Sequence, residues 1–135
     1  EEIYSLVGKS SSSIHETLFP ELPPEFKNDK LAEKWKNLYK IKQEANLAIE
    51  EKRASKEIGS SLEAEIEIYA NKENLNLLKN LDLPEYFITS KAKALENTKE
   101  NENLVIKVKK TEGEKCPRCW KILENNCQRC AEFLK

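Results

Sequence analysis

Four cysteines near one end of the chain are the residues whose type and spacing most clearly indicate chemistry. Two Cys-X-X-Cys pairs, separated by seven residues, lie within the last 20 of the 135 positions: Cys116, Cys119, Cys127 and Cys130. A two-residue gap lets both thiolates of a pair reach one metal ion from a single tight turn, and two such turns complete a tetrahedron. Soft thiolates favour zinc or iron over hard cations. The pattern predicts one structural zinc ion, with an iron site, a redox pair or disulfides as the alternatives.

The distribution of the cysteines also indicates a compartment. The first 115 residues contain none, whereas a secreted disulfide scaffold spreads its bridges over the whole fold. Nothing resembles a signal peptide, and no run approaches the roughly 18 apolar residues of a membrane span. The sequence therefore predicts a cytoplasmic protein with no membrane partner. Four thiolate ligands leave no position for water, so a catalytic metal is not expected.

Basic and aromatic residues surround the cysteines and are candidates for RNA contact. Arginine offers a planar fork to phosphate, and an indole can stack on an unpaired base. The candidates are Lys115, Arg118, Trp120, Lys121 and Arg129. In the alternative interpretation, Trp120 packs against Ile122 and Phe133 as a miniature core, and the basic side chains only offset the negative charge of a four-thiolate zinc.

The sequence shows no catalytic constellation. His15 is the only histidine, and three isolated glycines do not form a phosphate-binding loop. Formal net charge is −1, so attraction for phosphate must come from local clustering. No catalytic residue is predicted.

The elements that position the cysteines are predicted from apolar periodicity. Apolar residues recur at three- and four-residue steps over residues 29–55, which predicts an amphipathic helix with Asp29 as its N-cap and Gly59 at its end. Residues 30–56 carry eight basic and four acidic side chains. This local excess indicates either a solvated helix face or a surface for RNA backbone. Residues 2–7 are predicted as the end of a helix, residues 8–13 as a polar loop and the proline-containing residues 20–24 as an extended connector.

The remaining segment predicts a small sheet. Alternation over residues 62–70 indicates a half-buried strand with an acidic outer face. A short helix closed by Pro84 follows, then strands at 86–89 and 104–109, with a polar loop or frayed helix at 91–103. The helix is long enough for a crossover, so the first two strands are expected to be parallel.

The predicted fold class is α+β, with a C-terminal four-cysteine zinc finger. The amphipathic helix is followed by a three-stranded sheet with a short helix. The predicted divisions are a connector and last helix at 1–58, a small α+β junction at 59–110 and the finger at 111–135.

Several motifs of this chain, in their order along the sequence, resemble motifs of bacterial-type isoleucyl-tRNA synthetases. The segment similar to the end of the family's anticodon-binding helical domain is Arg53-Ala54-Ser55-Lys56-Glu57-Ile58-Gly59-Ser60-Ser61-Leu62-Glu63-Ala64. The last helix of that domain is matched by Trp35, Leu38, Glu44 and Asn46. The connector before that helix is matched by Ser13-Ile14-His15 and Pro20-Glu21. The family's C-terminal finger is matched by Lys115-Cys116-Pro117-Arg118-Cys119-Trp120 and Cys127-Gln128-Arg129-Cys130. One departure is the seven-residue spacer between the cysteine pairs, which is shorter than the family usually has.

The resemblance implies an intact enzyme of which this chain is the C-terminal part. That enzyme is a cytoplasmic, monomeric class I synthetase that activates isoleucine with ATP, charges tRNA(Ile) and hydrolyses mischarged valyl-tRNA. The ATP-binding and editing motifs are absent from these residues, so this chain is expected to lack a catalytic site and to bind the anticodon region. The start at Glu1-Glu2-Ile3 and the absence of methionine also predict a segment of a longer protein.

Two other functions also fit these residues. The finger also resembles that of formamidopyrimidine-type DNA glycosylases, and the chain could instead be a zinc-stabilised protein-interaction module. Preference for tRNA over duplex DNA or protein would distinguish the three.

Overall fold

A computed structural model describes residues 2–7, 13–97 and 104–133, without the side chain of Ser5. The helices are α1 (Glu2–Val7), α2 (Asp29–Ala54), α3 (Lys72–Leu78) and α4 (Leu83–Phe87). The strands are β1 (Ala64–Ala70), β2 (Lys91–Glu96), β3 (Leu104–Lys110), β4 (Glu114–Lys115) and β5 (Ile122–Leu123). Single 3-10 turns lie at Ile14–Glu16, Pro24–Phe26, Ser61–Glu63 and Ala131–Phe133. Among the described residues, no helix is long and apolar enough to span a membrane.

Helix α2 begins one residue away from the predicted cap. The Asn28 side chain accepts a hydrogen bond from the Leu31 N–H at 3.0 Å, so Asn28 is the N-cap and Asp29 is the first helical residue. An amide oxygen at this position satisfies one of the backbone donors that the first turn leaves unpaired. The helix then buries one stripe of side chains: Leu38, Ile41, Ala45 and Ile49.

The end of α2 does not depend on Gly59, contrary to the prediction. The helix ends at Ala54, and Lys56 takes the left-handed conformation with a φ of 60°. The Lys56 N–H donates to the Arg53 carbonyl at 3.0 Å, and the Glu57 N–H donates to the Lys52 carbonyl at 3.1 Å. This bonding pattern is that of a Schellman motif, which usually has glycine where Lys56 stands.

The central sheet has the strand order β2-β1-β3. Strand β1 pairs parallel with β2 and antiparallel with β3. The predicted α+β class and the third strand are therefore confirmed. Strand β1 does pair in parallel with the strand that follows it, but that strand is Lys91–Glu96 and not the predicted 86–89. Ile66 and Ile68 of β1 are fully buried in the same cluster as Phe87 and the apolar stripe of α2. Helix α2 and the sheet thus share one core, while the division at residue 58 stays a prediction.

Two predicted elements between β1 and β3 are wrong. Residues 86–89 are not a strand: Leu83–Phe87 form α4, and Ile88 ends it in the left-handed conformation. Pro84 opens this helix instead of closing the previous one, because proline fits the first turn and Asp82 caps it by accepting the Glu85 N–H at 3.1 Å. The strand is Lys91–Glu96, inside the segment predicted as a loop or frayed helix. Residues 98–103 of that segment lie outside the described residues, as does most of the predicted loop at 8–13.

The acidic outer face of β1 is covered by lysines from both neighbouring strands. Glu65 is 6% exposed, although it lies on the face away from the core. Its Oε1 is 3.7 Å from Lys93 Nζ of β2 and 3.3 Å from Lys109 Nζ of β3. Opposite charges on adjacent strands stabilise the pairing. This cross-strand arrangement could not be recognised before the register was known.

Candidate metal centre

The structure brings the four cysteine sulfurs together. All four Sγ atoms lie within 4.8 Å of one another, and Cys119 Sγ is 3.6 Å from Cys127 Sγ. All are free thiols, with Cys116 and Cys130 buried and the other two partly exposed. Zinc–sulfur bonds of about 2.3 Å in a tetrahedron separate the sulfurs by about 3.8 Å. The donor set and its spacing therefore fit a tetrahedral zinc ion.

Each cysteine pair lies on its own tight turn. In the first turn, the Trp120 N–H donates to the Cys116 carbonyl at 3.0 Å, and the Cys116 N–H donates to the Lys121 carbonyl at 2.9 Å. The second bond continues the antiparallel pairing of β4 with β5. In the second turn, the Cys130 N–H donates to the Cys127 carbonyl at 3.0 Å. The hairpin and the two turns (residues 111–133) are called the four-cysteine module below.

Two residues of this module have positive φ angles. Gly113 has a φ of 131°, and a Cβ there would lie 2.4 Å from the Leu123 carbonyl oxygen, so only glycine fits the hairpin. Trp120 has a φ of 65°, in the left-handed region that bulky residues rarely adopt. Such strain persists where the surrounding bonds determine the backbone. Here the two hydrogen bonds of the first cysteine turn hold Trp120 in this conformation.

One cysteine in each turn has a shifted pKa. Backbone N–H groups of Cys119 and Arg118 point at the Cys116 sulfur and lower its pKa to about 6. Burial, together with the neighbouring Cys119 thiol, raises the pKa of Cys127 to about 11. Because a metal binds thiolates, Cys116 readily supplies the thiolate that a cation needs, whereas the charge of a Cys127 thiolate must be compensated by the cation.

The predicted RNA-contacting residues differ in what surrounds them. The Trp120 side chain is 60% exposed, and Lys115 Nζ lies 5.8 Å from its ring centre. The Arg118 guanidinium stacks 3.9 Å above the Phe133 ring, with Nη1 4.0 Å from Cys130 Sγ. The other two candidates, Lys121 and Arg129, both pair with Glu85 of α4.

Residues that sequence analysis did not single out attach the module to the core. Ser90 is 5% exposed and connects the module to the start of β1. Its Oγ donates to the Leu62 carbonyl, and its N–H donates to the Ala64 carbonyl at 3.1 Å. The same Oγ accepts the Ile122 N–H of the module at 2.6 Å. Lys91 pairs with Glu124 at the same junction. A serine and a glutamate carry no local sequence signal for such long-range contacts.

In the part of the chain that the structure describes, other candidates for a functional site include a histidine and a groove. The four cysteines are the one group there of three or more side chains that could hold a metal ion. His15 lies exposed in the turn Ile14–Glu16. A groove of about 480 Å³ runs between α4 and the module, lined among others by Glu85, Lys91, Lys121 and Arg129.

Comparison with known proteins identifies relatives over the whole chain. The isoleucine–tRNA ligase of Pelagibacter ubique (strain HTCC1062) is 46% identical over 129 residues, which cover 96% of this chain and 14% of that enzyme. The ligases of Petrotoga mobilis and Natranaerobius thermophilus are 35% and 36% identical, and each match covers 100% of this chain.

No protein-family model matches the chain. The chain spans only 14%, 16% and 17% of the length of these three relatives. It is therefore homologous, over its whole length, to a C-terminal segment of isoleucine–tRNA ligases.

Proposed function

We propose that this chain is the anticodon-side tRNA-binding segment of an isoleucine–tRNA ligase. The homology over the whole chain supports this assignment most directly. The intact enzyme would attach isoleucine to its tRNA with ATP and remove mischarged valine. Both reactions would take place outside this segment, which contributes binding and not catalysis. The same homology favours this function over a DNA glycosylase finger or a protein-interaction module.

We infer that the four-cysteine module holds one structural zinc ion. Four converging sulfurs from two turns support this inference, and four thiolates leave no coordination position for a substrate. The ion would cross-link two turns that have few other buried contacts: the buried apolar residues of the module are Cys116, Ile122 and Cys130. A zinc ion so held is compatible with the reducing cytoplasm, which is the location we expect.

The exposed indole supports a role in RNA recognition. Trp120 is too exposed, at 60%, to be the centre of a miniature core, and Phe133 is 65% exposed. Lys115 next to the ring supplies a cation for phosphate. Unpaired bases of an anticodon loop stack on such side chains, and each stack contributes on the order of 1–3 kcal/mol.

Trp120→Ala should weaken tRNA binding by the full-length ligase roughly 5- to 150-fold, which is the loss of one stacked base. Isoleucine activation without tRNA should stay near wild type, because that chemistry lies in another domain. The measurements are the KM for tRNA in charging and the rate of ATP–pyrophosphate exchange. Phe19→Ala, which removes a fully exposed aromatic ring outside the module, is the matched control.

Zinc content must be verified in each variant, because loss of the metal would weaken binding for another reason. Arg118→Ala and Arg129→Ala extend the test to the neighbouring cations. If all three variants keep zinc and charge tRNA as well as wild type, the module is only structural and the RNA-binding assignment is wrong.

A further inference from the structure

Glu85 of α4 forms ion pairs with both cysteine turns. Its Oε1 lies 3.1 Å from Nζ of Lys121, which follows the first turn, and it also contacts Nη1 of Arg129 within the second. The Lys121 side chain is only 16% exposed. An ammonium group in that position requires a partner, because burying an unpaired charge is costly. One carboxylate therefore connects both halves of the four-cysteine module to the α/β core.

The backbone that carries Glu85 is firmly placed. Asp82 caps α4 by accepting the Glu85 N–H at 3.1 Å, and Phe87, two residues on, is 1% exposed in the core. Ser90 then adds a second, uncharged attachment through the Ile122 N–H at 2.6 Å. Together with the Lys91–Glu124 ion pair, these attachments hold the module in one orientation on the sheet.

We propose that Glu85 is a positioning residue for tRNA binding. It draws Lys121 and Arg129 towards the core and fixes the orientation in which the module presents Trp120 and Lys115 to the RNA. The inference rests on the proposed tRNA-binding function. In this inference, Lys121 and Arg129 dock the module on the core. They affect the RNA-binding surface only through that docking.

The sign of the effect of charge reversal tests this role. Glu85→Lys replaces a negative charge with a positive one beside the RNA surface, and attraction for phosphate alone would tighten binding. A positioning role predicts the opposite, because the introduced ammonium group would repel both Lys121 and Arg129 and release the module. We expect the KM for tRNA to rise about 2- to 30-fold with kcat for charging unchanged, as for other residues that act through a coupled contact.

Three further variants of the full-length, zinc-loaded ligase make the test specific. Glu25→Lys applies the same charge change to an exposed residue of the turn Pro24–Phe26, and it should not weaken binding. Glu85→Gln keeps the shape of the side chain, and it should weaken binding less than Glu85→Lys but in the same direction. Glu85→Lys combined with Lys121→Glu permutes the same three charges, and it should recover part of the lost affinity.

Amide exchange separates this inference from the proposed function. In Glu85→Gln, exchange over residues 114–130 should increase while one zinc is retained. If both Glu85 variants keep zinc and bind tRNA as tightly as wild type or more tightly, the inference is overturned. Loss of zinc from Glu85→Gln would also overturn it, since Glu85 would then be needed for folding of the module. If Trp120→Ala, Arg118→Ala and Arg129→Ala all keep zinc and leave tRNA binding unchanged, the proposed function fails, and the positioning role in tRNA binding fails with it.

Discussion

Removing the metal ion with a chelator should unfold residues 111–133 while the α/β core stays folded. The module has two strands of only two residues each and few buried apolar side chains. A structural zinc contributes roughly 10 kcal/mol or more to the folding of modules of this kind. The core has its own cluster of buried side chains from α2, β1, α3 and α4, and this burial does not depend on the metal.

Amide exchange before and after chelation measures this difference. Protection should disappear from residues 114–130 and remain in residues 38–49 and 64–70. Addition of zinc to the chelated protein should restore protection, whereas magnesium, a hard cation, should not. Loss of protection throughout α2 and β1 on chelation would contradict an independently folded core.

Replacement of Phe87 by alanine should produce the largest loss of stability in the core. Phe87 is the largest of the fully buried side chains, at 1% exposure. Its ring packs edge-on against Tyr86 with 5.0 Å between centroids, and Tyr86 in turn contacts Trp35 of α2 at 6.0 Å. The cavity left by a phenylalanine-to-alanine change costs about 3–5 kcal/mol.

Urea unfolding of zinc-loaded protein, followed by circular dichroism at a helix wavelength, measures this loss. Phe19→Ala is the matched control, since Phe19 is 100% exposed and surface changes usually stay within about 0.5 kcal/mol. If Phe87→Ala and Phe19→Ala had the same free energy of unfolding, the contribution of α4 to the core would be disproved.

What could be predicted from sequence was local. The cysteine spacing alone indicated that four sulfurs converge, because each pair needs only one tight turn. The α2 stripe and the strands β1 and β3 followed from apolar periodicity, since each buries one regular face. The identity of the bound metal stays a prediction.

What could not be predicted depended on contacts distant in sequence. Strand β2 alternates lysine with alanine, a composition of low strand propensity, and it forms because it pairs with β1 in parallel. Pro84 was expected to end a helix, but capping by Asp82 lets it begin one. The roles of Glu85 and Ser90 arise from partners 26 to 44 residues away along the chain.

The metal content of the freshly purified, reduced protein decides whether the four cysteines hold one zinc ion. Native mass spectrometry should show each chain with the added mass of one zinc ion, and this mass should be lost when Cys116 and Cys127 are replaced by serine. Serine offers no soft thiolate for zinc, while the change is small enough to leave the core intact. A metal-free chain, a chain carrying iron, or a mass reduced by the hydrogens lost in disulfides would contradict the four-cysteine zinc site.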